Sequence, residues 1–223
     1  TAEVQPELAS SWAVSADATV YTFTLRSDVF WSDDHAITAE DVRYGILRTL
    51  NPATGSDYAY LLYRIKNAWD YNSGAISDPE EVGVTAIDTT TLRVTFEHPA
   101  SYGPSILTMW MARPMPQWAI EAHGVPTWTK PANIVTSGPY ELTEWVQGDH
   151  ILLTKNPGYY DAANVQIGEV RMEMVDAETA FQMYQNGDLD TVGVPASEMQ
   201  NVREDPELSE QLYIAPDFCT YYY

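Results

Sequence analysis

The apolar positions of residues 20–52 change period once, and the change marks two elements. Tyr21, Phe23 and Leu25 alternate with Thr22, Thr24 and Arg26, the period of two that a half-buried strand requires. After the turn-forming run Trp31-Ser-Asp-Asp-His35, the apolar positions Val42, Ile46, Leu47 and Leu50 recur at helical spacing. Thr38 is suited to cap that helix with its hydroxyl, Glu40 and Asp41 suit its first turn, and Asn51-Pro52 ends it. Strand, acidic turn and capped helix thus follow in direct succession.

The remaining pattern continues this mixture. Val82–Ile87 and Leu92–Phe96 predict two strands, the second with Leu92, Val94 and Phe96 alternating against Arg93 and Thr95. Ser105–Met111 predicts a helix, broken twice by Arg113-Pro-Met-Pro116, which is the best candidate for a domain boundary. A short helix over Gln117–His123 should end at Gly124. Tyr140–Gln147 and His150–Lys155 should pair as a hairpin across Gly148-Asp149, and Val170, Met172 and Met174 alternate as a further strand. Asp176 should cap a helix running to Gln185, Asp188–Val192 reads as a strand, and Pro195 as the start of a helix. The chain closes in two β-like runs, Leu212–Ala215 and Phe218–Tyr223. Paired neighbouring strands exclude a purely parallel sheet, so the expectation is a mixed α/β architecture in two lobes.

Charge narrows the function. The 223 residues carry 32 acids against 11 bases, a formal net charge of −21, dispersed along the chain. Nucleic acid and anionic membrane are poor partners for such a surface, because phosphates are neutralised by Lys and Arg. No apolar run approaches the about 18 residues that a membrane span needs. The four histidines are scattered singly without metal-ligand spacing, so no metal site is expected. Gly-x-Ser-x-Gly elbows, phosphate-binding loops and dinucleotide fingerprints are absent. Gly187-Asp-Leu-Asp190 offers two carboxylates but no convergent third ligand, and reads as a turn. The single cysteine, Cys219, leaves the redox compartment open.

The run YTFTLRSDVFWSDDHAITAEDV resembles the signature of the family 5 extracellular solute-binding proteins, which serve peptide, oligopeptide and nickel ABC importers. Leu25-Arg26, Trp31, Asp33, Thr38-Ala39 and Asp41-Val42 carry the match, while Asp34 and Ala36 replace the usual Gly and Pro. Asp accepts a positive φ better than most residues, so the turn can survive the first replacement. Pro6-Glu-Leu-Ala-Ser-Ser-Trp12, Asn133–Tyr140, Asn156–Tyr160 and Cys219-Thr-Tyr-Tyr-Tyr223 are similar to further family segments. The resemblance implies an α/β fold like the type II periplasmic binding proteins, with mixed sheets in two lobes, of which this chain is an incomplete part. On that basis residues 1–116 are expected as a small lobe carrying the signature, and residues 117–223 as part of the first ligand-binding lobe.

It further implies an extracytoplasmic protein, periplasmic or extracellular, with room for a lipid anchor outside this stretch. That protein would be a monomer that captures peptides in an interlobe cleft and delivers them to membrane permease subunits, with no cofactor and no catalysis. Tyr58, Cys219 and Tyr222 fall where the family lines the ligand cleft, and the resemblance further implies that Cys219 forms a disulfide. Two other readings stay open for these residues. Tyr58, Tyr60 and Tyr63 also fit as core or surface aromatics, and the terminal tyrosines as plain strand formers. For the function as a whole, a carboxylate-based hydrolase and a peptide-binding sensor or chaperone are the alternatives.

Overall fold

The computed structural model describes residues 3–215, and the chain is a mixed α/β structure. It divides into two compact units, Thr1–Trp145 with Leu152–Val170, and Val146–Ile151 with Arg171–Tyr223. Cys219 and Tyr222 therefore lie outside the described residues, as does the expected run Phe218–Tyr223.

The first unit is built on a four-stranded antiparallel sheet. Its strands are β1 (Ala9–Val14), β2 (Val20–Leu25), β3 (Val84–Ala86) and β4 (Thr91–Thr95), in the order β1-β2-β4-β3. The alternation of β2 settles its register: Tyr21 and Phe23 oppose Val94 and Leu92 of β4, and all four are buried. Helix α1 (Ala39–Leu50) covers that apolar face, with Val42, Ile46, Leu47 and Leu50 all buried. Its start is the expected one. Thr38 accepts from the Asp41 N–H, and the Asp41 carboxylate accepts from the Thr38 N–H at 2.7 Å, a reciprocal capping box.

Gly45 sits in the middle of α1, where glycine ordinarily costs stability. A Cβ there would lie 2.2 Å from the Arg113 carbonyl oxygen, so the close approach of that segment requires glycine. The same contact corrects the expected boundary at Arg113-Pro-Met-Pro116. The Met115 N–H donates to the Asp41 carbonyl at 3.0 Å. Ser32 N–H donates to the Thr136 carbonyl at 2.8 Å, and Thr136 N–H returns to the Ser32 hydroxyl at 3.1 Å. Val29, Trp31 and Ile37 form a second buried cluster together with Trp118, Val135 and Tyr160. Prolines end a local helix, but they do not stop the chain from folding back onto an apolar face. Residues on both sides of position 116 share one unit.

Beyond α1 come α2 (Ala68–Ser73), α3 (Gly103–Leu107) and α4 (Gln117–His123), the last ending at Gly124 with φ 67° as expected. The helix expected over Ser105–Met111 is instead the short α3 followed by a separate 3-10 turn at Trp110–Ala112. Strands β5 (Tyr140–Val146), β6 (His150–Lys155) and β7 (Glu169–Glu173) form a three-stranded sheet in that order, with Gly148 at φ 76° in the β5–β6 turn.

The second unit carries α5 (Ala177–Gln185), α6 (Met199–Glu204) and α7 (Leu208–Gln211). Asp176 caps α5 by accepting from the Thr179 N–H at 2.8 Å. The helix closes with Gly187 N–H on the Tyr184 carbonyl and Asp188 N–H on the Met183 carbonyl, a Schellman motif. Three expectations fail here. Asp188–Val192 and Leu212–Ala215 are not strands, since among the described residues no ladder receives them. Pro195 does not begin a helix: its carbonyl accepts from Glu198 in a turn, and α6 starts four residues later at Met199. Among the described residues, no helix is long and apolar enough to cross a membrane.

Candidate functional site

Tyr58 is held by local structure that the sequence writes plainly. The Asn51 side chain ends α1 and accepts from the Ala53 N–H at 2.9 Å, Pro52–Thr54 forms a 3-10 turn, and Gly55 turns the chain at φ 63°. A second 3-10 turn, Ala59–Leu62, buries Ala59 and Leu62 against the core and turns Tyr58 and Tyr60 outward, 47% and 56% exposed. The Tyr58 ring meets Trp110 edge-to-face, with centroids 5.3 Å apart at 78°, and Tyr60 at 6.4 Å. Trp110 is itself 62% exposed, carried by a turn whose other residues, Met111 and Ala112, are buried. Three large rings on two core-anchored turns thus form an open aromatic platform.

Tyr63 belongs elsewhere. Its hydroxyl donates to Asn72 at 2.5 Å, Asn72 in turn donates to the Leu50 carbonyl at 2.7 Å, and Trp69 packs on the ring at 4.9 Å. Of the three tyrosines, Tyr63 fits the structural reading, whereas Tyr58 and Tyr60 face water. Trp110 was invisible to sequence reasoning, because a tryptophan inside an apolar run reads as core.

The acidic turn is a second organised polar group. The Trp118 indole N–H donates to Asp33 at 2.9 Å, His35 Nδ1 lies 3.0 Å from the same carboxylate, and the imidazole packs against the Trp118 ring at 4.7 Å. Trp31 stands perpendicular to Trp118 at 5.7 Å from beneath, and Asp34 takes φ 68°, the conformation its usual glycine would supply. The turn is exposed, yet it clasps α4. Nearby, Arg26 pairs with Asp28 and lies 4.3 Å from the Tyr160 ring. Burial and the neighbouring Tyr160 push the Tyr159 phenol up to about 12.

Apart from these groups, each unit has a concavity among its described residues. An apolar cavity of about 160 Å³ lies between the sheet and the Ala112–Pro114 segment, lined by Trp12, Phe23, Leu25 and Leu107 among others. The other, about 540 Å³, lies against α5, α6 and α7 with Phe181, Met199 and Val202 in its wall. Among the described residues no three His, Cys, Asp or Glu side chains converge as metal ligands, and Gly187 at φ 82° serves the helix end described above. Exposed ring faces offer a ligand stacking and dispersion contacts.

A family model described as bacterial extracellular solute-binding proteins, family 5 Middle, matches residues 3–223. The chain is 36% identical over 222 residues to the periplasmic oligopeptide-binding protein OppA of Escherichia coli, covering 98% of this chain and 40% of that protein. It is 37% identical over 219 residues to the dipeptide-binding protein DppE of Bacillus subtilis, covering 94% of this chain and 37% of that one. The solved structure of Haemophilus influenzae OppA in complex with the peptide RPPGFSPFR superposes with a TM-score of 0.84 at 31% identity, over 91% of this chain and 40% of that chain. The chain therefore spans about two fifths of the length of the relatives it matches.

Proposed function

The chain belongs to the family 5 bacterial extracellular solute-binding proteins, and from that premise we propose that it is part of a peptide-capturing component of an ABC importer. The observation that carries this reading is the match across nearly the whole chain to relatives named for oligopeptide and dipeptide binding. The exposed Tyr58 ring in a core-anchored turn supports it. An extended peptide is held in such proteins through its main chain, which accounts for tolerance of varied side chains, and lobes closing like a hinge complete the site. In this reading Tyr58 and Tyr222 meet the ligand, and Cys219 is bonded to a cysteine outside this chain. The protein works as a monomer beyond the cytoplasm, hands its cargo to membrane permease subunits, and catalyses nothing.

Titration calorimetry with a pool of tri- to pentapeptides tests the reading. Binding of a small peptide first has to offset lost translational freedom, so a chain holding part of a cleft binds weakly, with a Kd above about 1 μM. Heat from peptides and none from a matched pool of oligosaccharides is the expected result. Peptide turnover, seen by mass spectrometry, would instead favour a hydrolase.

A further inference from the structure

Tyr58, Trp110 and Tyr60 are 47%, 62% and 56% exposed, and the first two meet edge-to-face, which leaves ring face open to water. An exposed aromatic face attracts a cation, because it carries the negative lobe of the ring quadrupole. The cation–ring contacts among the described residues are Arg26 over Tyr160 and Lys130 over Trp145, and neither reaches this platform.

The chain's charge points the same way. Only 11 bases oppose 32 acids. Arg26, Arg43, Arg113 and Arg171 are held by carboxylates of the chain: Asp28, then Glu40 and Glu80, then Glu7, then Glu173. A net charge of −21 draws cations toward the surface before any contact is made. Resting on the peptide-binding reading above, we propose that Tyr58, Trp110 and Tyr60 form a subsite for a basic side chain, so that the preferred ligands are peptides bearing Arg or Lys. Arg is the better fit, since its planar guanidinium stacks on a ring face.

The test uses two sets of probes on the 223-residue chain. N-acetyl-arginine methylamide and its citrulline counterpart, equal in shape but neutral, are titrated while the Trp110 indole N–H is followed by NMR. The pentapeptides Ala-Ala-Arg-Ala-Ala, its citrulline version and its glutamate version are compared by calorimetry. Arginine should bind about two- to fivefold more tightly than citrulline, the size expected of an exposed cation–π contact, with glutamate weakest. Trp110→Ala should erase the arginine preference, Trp110→Phe should keep part of it, and Trp69→Ala, an equally exposed tryptophan outside the platform, should leave it intact. In about 1 M salt the glutamate penalty should shrink, because long-range attraction is screened, while the arginine-to-citrulline ratio persists. Pentapeptides that bind without that ratio, or a ratio untouched by Trp110→Ala, overturn the inference and leave the peptide reading standing. Pentapeptides that fail to bind while the arginine amide still shifts the Trp110 indole remove the peptide reading and keep the cation subsite. An indole unmoved by either amide removes the subsite.

Discussion

The sheet-and-α1 region of the first unit and the α5–α7 region of the second carry similar helix signals, but they use them differently. In the first, Ile46, Leu50, Leu62, Ile65 and Val94 are fully buried, and α1 lies against the sheet along its whole apolar stripe. In the second, Phe181, Pro195 and Val202 are the buried apolar side chains among the described residues, while Met172, Met174, Val175, Tyr213 and Ile214 are exposed. The lesson is one of locality. A helix closes its own hydrogen bonds, so α5 forms from its cap and its Schellman end with little core beneath it. A strand borrows its bonds from a neighbour, so Asp188–Val192 has the composition of a strand and remains coil.

The largest expected effect separates the two regions directly. Ile46→Ala opens a cavity in a fully buried site and should cost about 2–5 kcal/mol in urea unfolding. Phe181→Ala should instead speed amide exchange across residues 171–215 while β2 and α1 stay protected, because stability is unevenly distributed through a sparsely packed region. Simultaneous loss of protection in β2 and α5 after Phe181→Ala would show one cooperative structure and break the comparison.

Next in size is the N-terminal cap of α1. Thr38→Ala removes one half of the capping box and should cost about 1 kcal/mol, read from the urea midpoint at unchanged slope. An effect below about 0.3 kcal/mol would mean that burial alone sets where α1 begins, against a typical cap value of about 1 kcal/mol.

The same distinction governs what could be read from the residues. Strand β2, helices α1, α4 and α5 and the turn at Gly148 follow from period, caps and turn chemistry, all local signals. Strand β1 escaped notice because Ala9-Ser-Ser carries no alternation; it exists through its pairing with β2, with an irregularity between Ala9 and Ser11. Packing of the Arg113–Pro116 segment onto Gly45 is likewise a long-range fact, and the glycine alone did not announce it. In the candidate site Tyr58 was singled out through the family resemblance, and the structure leaves its ring 47% exposed. Its partner Trp110 lies 52 residues later in the chain and comes beside it only by folding. A smaller effect probes a local signal: Asp34→Gly should stabilise the protein by about 0.5 kcal/mol, since relief of the positive φ exceeds the extra freedom given to the unfolded chain. Destabilisation would mean that the Asp34 side chain itself holds the turn.

The smallest effect lies in the acid limb of stability, and it too divides the regions. In the second unit the Asp176 carboxylate accepts from the Thr179 backbone N–H and hydroxyl, at 2.8 and 2.9 Å, which holds its pKa below the ordinary 3.8. In the first unit Asp17 is lowered by the Ser15 and Thr19 side chains, and Asp88 by the Thr90 backbone and the Thr91 side chain. A carboxyl group with a depressed folded pKa binds its proton more readily when unfolded. Its contribution is therefore complete above the unfolded value of about 3.9 and is lost as pH falls through the folded one. Asp176→Asn keeps a cap acceptor but removes the titrating charge. Amide exchange across α5 in the variant should lose most of its pH dependence below about pH 4, apart from the intrinsic chemistry of exchange, while the Thr19 and Thr90 amides of the first unit keep theirs. If the α5 amides of the variant still become labile in step with those of the first unit as acid is added, local titration at Asp176 is not what protects the helix, and the two regions answer to acid as one.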